Sequence, residues 1–216
     1  MMIGRMIHYR NWFIKCMSII KDPSFAISEE MLQKCTKFAQ DSVGSSADKY
    51  ARRNQMNVAK IMDDIKNGKL AEEAVYQKLA EAYPKISAPD YNIYDKKNKN
   101  WDPDLKETEV PLRVAVKSQE IKSEIAFGRS WVFQFGNGGK FDCDTGIFGK
   151  GDDSHYVCFV SLNVPRRCGE LRALVKVQWL HDKKLFKAMK KQILQGNKVA
   201  VYYEDLEKLP DELWQI

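Results

Sequence analysis

The residues best suited to chemistry are Asp104 and Lys117, both in the stretch WDPDLKETEVPLRVAVKSQ that spans 101–119. The stretch reads as two short strands joined by a charged turn. Asp102 and Asp104 fall on the first strand, and 114–118 makes the second. Side chains alternate along a strand, so Val114 and Val116 point into a core while Ala115, Lys117 and Gln119 point the other way. A hairpin would bring Asp104 alongside. Mg2+ takes hard oxygen ligands and keeps several waters, so one or two carboxylates suffice to hold it. A lysine beside such an ion would position an attacking water or balance charge developing on a phosphate. Taken alone, the pair reads first as a weak surface ion pair, so the surrounding elements carry the weight.

A helix is expected over 69–83, with the stripe Leu70, Ala71, Ala74, Val75, Leu79 and Ala82 recurring at helical spacing. At 100° per residue Glu72 falls at the edge of this stripe and Glu73 points away from it. Pro84 ends the helix. An earlier helix is expected from Ser28 to about Gln40, with Glu29 and Glu30 in its first turn, where the helix dipole favours acids. The turn SVGSS follows, and Ser45 with Asp48 has capping-box-like spacing. Apolar periodicity then runs to Asn67-Gly68, which reads as a stop. Short strands are expected at 91–94, in WVFQF, at 156–164, along the alternating run from Leu171 to Trp179, and at 199–203, with a short helix over 119–127. A helix is expected from Asp182 to about Gln195. The order predicts an α/β (α+β) fold with a mixed sheet flanked by helices.

In this setting Pro103-Asp104, followed after an interval by Ala115-Val116-Lys117, resembles the PD-(D/E)XK nuclease motif, a restriction-endonuclease-like superfamily. GKLAEEAVYQKL is similar to the helix that often precedes the motif and supplies a glutamate, which Glu72 matches. Val116-Lys117-Ser118-Gln119 is similar to the end of the lysine strand in many members. The likeness covers roughly 68–134. It implies a Mg2+-dependent DNA endonuclease, with Mn2+ as an alternative ion. Glu72 and Asp104 would bind the metal, Lys117 would assist the water and Gln119 would support the site. Alanine stands at 115, where the motif has an acid, and Glu72, Glu120 and Glu124 are candidates to replace it. Pro89-Asp90 is a second literal PD, so Asp90 is an alternative to Asp104. The same departure motivates the other reading, a nucleic-acid-binding protein on this fold without catalysis.

The net charge of +6 suits a polyanionic partner without requiring one. Residues 164–201 hold ten Lys or Arg against two acids. On the expected helix, Lys183, Lys184, Lys187, Lys190 and Lys191 fall on one face, opposite Leu185, Phe186 and Met189. With Arg52, Arg53, Lys97, Lys99 and Arg129 they form the expected DNA footprint. RNA stays open as a partner, and a homodimer is the expectation for duplex cutting by two sites.

Other chemistries lack their signatures. GNGGKF is not a P-loop, the three histidines are scattered, and the five cysteines include no CxxC pair. The N-terminal twenty residues interleave Arg5, His8, Arg10 and Lys15 with apolar ones, unlike a signal peptide, and no stretch reaches membrane-spanning length. A cytoplasmic protein is expected, with a helical extension over 1–44 and a nuclease-like domain over 45–216.

Overall fold

The structure is a computed structural model, and it describes residues 20, 22–52, 57–94, 103–134, 155–190, 195 and 198–209, with the side chains of 45–52 outside the description. It is a mixed α+β fold. Among the described residues a five-stranded sheet runs in the order β1-β6-β5-β3-β2, and a smaller one runs β4-β8-β7.

Ser28 starts the first helix, α1 (Glu29–Arg52), by accepting the Met31 amide on its hydroxyl. The helix runs straight through the expected turn SVGSS, so the Ser45–Asp48 capping site does not exist. The break comes later, where Asn57 caps α2 (Val58–Ala80) by accepting the Lys60 amide. α2 in turn continues through Asn67-Gly68. Both expected stops are overridden because the two helices pack lengthwise on each other and on the sheet, and tertiary burial outweighs the propensity cost of one glycine.

β2 (Leu105–Lys106) and β3 (Arg113–Glu120) form the expected hairpin, pairing Leu105 with Val114 and Lys106 with Arg113. β3 leads into α3 (Ile121–Phe127), and β4 (Ser130–Gln134) opens the second sheet. β5 (His155–Asn163) pairs parallel to β3 and is buried along its middle, as its continuous apolar run predicts. After a 3-10 turn (Val164–Arg166), β6 (Cys168–Lys176) returns antiparallel to β5, and β1 (Ser24–Ala26) closes its far edge. The segment 91–94 is irregular rather than a strand.

β6 ends at Lys176, and Val177–Asp182 forms α4 instead of prolonging the strand to Trp179. The basic helix expected from Asp182 does not form. The chain turns at Lys183 and Lys184, the latter at a left-handed φ of 53°, and the Leu185 amide bonds back to Leu180 O at 2.9 Å. β7 (Lys187–Ala188) then pairs with β8 (Lys198–Tyr202), and α5 (Tyr203–Leu206) follows. Leu185 and Met189 are buried from this turn and strand. Their apolar spacing, which also fits a helix, is satisfied another way.

Two cores lie on opposite faces of the large sheet. Val114, Val116, Cys158 and Leu171 pack with Leu70, Ala71, Ala74 and Val75 of α2. Ala115, Val157, Phe159, Ala173 and Val175 pack with Trp131, Phe133 and Val201 of the second sheet. The Trp131 indole N–H donates to Val160 O at 2.9 Å, beside the β-bulge at Phe159/Val160, and so ties the second sheet to the first. The expected boundary between 44 and 45 falls inside α1, and Phe25, Met31 and Cys35 share the first core with Val75 and Leu162.

Gly169 sits at a close approach of β6 to β1 and β5. A Cβ there would lie 2.3 Å from the Phe25 ring and 2.7 Å from Ser161 O. Backbone cannot yield as a flexible side chain does, so Gly169→Ala should destabilise the fold by about 1–3 kcal/mol. A denaturant midpoint equal to that of the unaltered chain would refute this packing.

Candidate functional site

The hairpin and α2 bring two acids together. Asp104 stands just ahead of β2, and its Oδ2 accepts the backbone N–H of Val116 at 2.7 Å, which fixes the carboxylate against β3. Glu72 reaches it from α2. Its side chain is only 13 % exposed, and burial, followed by the negative charge of Asp104, pushes its carboxyl up to about 8 despite the opposing Lys69. An enclosed carboxyl raised by burial and by a neighbouring carboxylate's charge is an arrangement a divalent cation would relieve, since shared coordination would replace the repulsion. These hard-oxygen donors fit Mg2+. No group of three or more His, Cys, Asp or Glu able to hold a metal occurs among the described residues. Asp102 lies outside them.

Lys117 is carried on the other face of β3. Its ammonium lies 5.1 Å from the centre of the Phe133 ring, on the side where Ala115 meets the second core. The position where the motif has an acid is therefore a methyl against an apolar cluster. Gln119 is buried and forms a bracket: its Nε2 donates to Gly128 O at 2.9 Å and its Oε1 accepts the Ser130 amide at 2.7 Å. These bonds hold the turn between α3 and β4, where Gly128 sits at a φ of 79°. Of the alternatives, Glu124 binds Arg129. Asp90 is engaged locally, accepting from Asn92 and from the Tyr94 hydroxyl, and those bonds hold its carboxyl below the usual range against the opposing effect of burial.

Glu73, placed by periodicity on the open side of α2, is in fact buried. It pairs with Lys34 of α1 and accepts the Tyr91 hydroxyl at 2.7 Å. The reason is that α2 has two covered sides, the sheet on one and α1 on the other. Tyr91 also contacts the buried Cys35 thiol at 3.4 Å, and burial raises both groups above their ordinary pKa. Lys69, whose ammonium bonds Glu72, is a second residue the sequence reading passed over. The signal was present: lysine and glutamate three apart on a helix are neighbours.

The expected basic footprint is dispersed. Lys183 and Lys184 lie on the turn after α4 and Lys187 on β7, all exposed, and they do not share a helical face. Lys190 sits 3.7 Å from Glu204 and 4.5 Å over the Tyr202 ring. Arg129 is held by Glu124 and lies 4.6 Å from the Tyr203 ring centre, at an open cleft of about 500 Å3 that it lines with Ser161, Glu170 and Arg172. Arg52 ends α1 with its side chain undescribed, and Arg53, Lys97, Lys99 and Lys191 lie outside the described residues. No helix among the described residues is long and apolar enough to cross a membrane. No protein-family profile, curated protein or solved structure matches the chain.

Proposed function

We propose that the chain is a Mg2+-dependent endonuclease acting on DNA, with Glu72 and Asp104 as the metal-holding carboxylates; Lys117, expected from the sequence to assist the attacking water, lies on the other face of β3 beside Phe133. The carrying observation is the approach of Asp104 to Glu72, an enclosed carboxylate pushed up to about 8 partly by its neighbour's charge. Perturbed, enclosed carboxylates cluster at functional sites, which supports the reading although Lys69 already bonds Glu72. Mg2+, when bound, supplies a polarised water and charge for the phosphate. The protein's own part is to fix the Asp104 carboxylate on the Val116 amide and to hold Glu72 on the enclosed side of α2. Gln119 contributes by rigidifying the turn between α3 and β4.

The test is incubation of supercoiled and single-stranded DNA, and of RNA, with purified protein and Mg2+ or Mn2+. Cutting that needs the ion and stops with EDTA is the expected result. A preparation that binds Mn2+ yet leaves every substrate intact would refute it.

A second reading is favoured by Ala115, whose methyl occupies the acid position and packs against the second core. In that reading the chain binds nucleic acid without cutting it. It requires binding that weakens steeply with salt, and no cleavage with any divalent ion.

A further inference from the structure

Lys69 sits where a freely solvated lysine has no reason to be. Its side chain is 14 % exposed, as enclosed as that of its partner Glu72. Its ammonium bonds Glu72 Oε2 and lies 5.3 Å from the ring centre of Phe38 and 5.5 Å from that of Tyr91. Its charge also acts on Asp90. Two aromatic faces, one from α1 and one from the segment after α2, therefore enclose a cation against the Glu72 carboxylate. Enclosing an ammonium carries a desolvation cost that its partners must offset. Lys34 and Glu73 form a neighbouring pair around the same Tyr91 ring, with Lys34 4.2 Å from its centre. The first-core side of the sheet thus has a cation at its acids that is distinct from Lys117 on the other face.

We propose that Lys69 is the resident counter-ion of the Glu72–Asp104 pair: a divalent cation must displace its ammonium from Glu72, and the displaced ammonium then serves the substrate phosphate as a second positive group. This rests on the nuclease reading and adds to it a residue that both competes with the metal and assists the reaction. Two cations at one carboxylate oxygen repel each other, and the repulsion is weakly screened in an enclosed site. Removing Lys69 should therefore tighten metal binding while slowing catalysis. A purely structural lysine would do the reverse to binding, because its loss would loosen the site.

The probe is Mn2+ alone, titrated into the full chain without DNA and followed by the paramagnetic signal of the free ion. Lys69→Met should lower the Mn2+ midpoint by about tenfold at constant pH. At saturating Mn2+ it should slow plasmid cutting by about a hundredfold. Lys69→Arg, which keeps the charge, should leave the midpoint near that of the unaltered chain. Lys69→Gln, which keeps most of the stem, replaces the methionine variant if that one does not fold. An unchanged or raised midpoint in a folded neutral variant overturns the proposal, and so does full cutting by it. A wild-type chain that binds no Mn2+ overturns both this proposal and the nuclease reading. A wild-type chain that binds and cuts, with a midpoint indifferent to Lys69, overturns this proposal alone.

Discussion

Asp104→Ala should abolish Mg2+-dependent cutting of plasmid DNA while leaving the fold intact. The carboxylate is half of the acid pair, so its loss would remove one of the two proposed metal ligands, held in place by the Val116 amide. Losing several kcal/mol of transition-state stabilisation amounts to roughly a thousandfold or more in rate. The structural cost is small by comparison. Asp104 stands just ahead of a two-residue edge strand, and the hairpin is kept by the pairing of Leu105 with Val114 and by their burial. Circular dichroism and a thermal melt close to those of the unaltered chain are the required controls. Undiminished cutting by a folded Asp104→Ala protein would remove Asp104 from the site.

Glu72→Gln should change the pH dependence of stability. In the folded chain burial and the Asp104 charge push the Glu72 carboxyl up to about 8, against 4.5 for an ordinary glutamate. Between those values the native state keeps a proton that the unfolded state has already lost. Stability therefore falls as pH rises through that window, and it levels off above the folded pKa. Glutamine carries no such charge, so the variant should gain on the wild type from pH 5 to pH 8.5. The gain should be on the order of a few kcal/mol in metal-free buffer. Melts in EDTA at the two pH values measure it. A difference between the proteins that ignores pH would show that Glu72 is ionised throughout, with Lys69 prevailing over burial.

What could be read in the sequence follows from how local each signal is. The alternation of Val114 and Val116, the charged turn before them and the apolar run at β5 are short-range patterns, and they became the hairpin and the central strand. Ser28 was legible because a cap needs only its own helix. Glu73 was not. Its burial depends on α1 lying over the second side of α2, a fact no single-helix periodicity contains. The basic helix failed for a related reason. Leu185, Phe186 and Met189 fit a helical stripe, but a turn and a β7–β8 pairing bury Leu185 and Met189 as well, and strand partners are non-local. Gln119 was read as a site residue from its place on the strand, and nothing local announces that its amide brackets Gly128 and Ser130. The acid pair was half legible: the Glu72 side of α2 and the Asp104 hairpin were both visible, whereas their approach depends on how α2 lies on β3.

The position of β1 has a consequence for the order in which the chain can fold as it is made. Ser24–Ala26 pairs with Cys168–Glu170, so this strand finds its neighbour only after more than a hundred further residues have been synthesised. α1 and α2 are complete long before that, and the stripe of Leu70, Ala71, Ala74 and Val75 then has no sheet to cover it. Contacts this distant are formed late and slowly. A helical pair formed before its sheet would expose apolar surface of the kind that makes intermediates aggregation-prone. Production at low temperature or with added chaperones should therefore improve soluble yield more than any change to the finished surface.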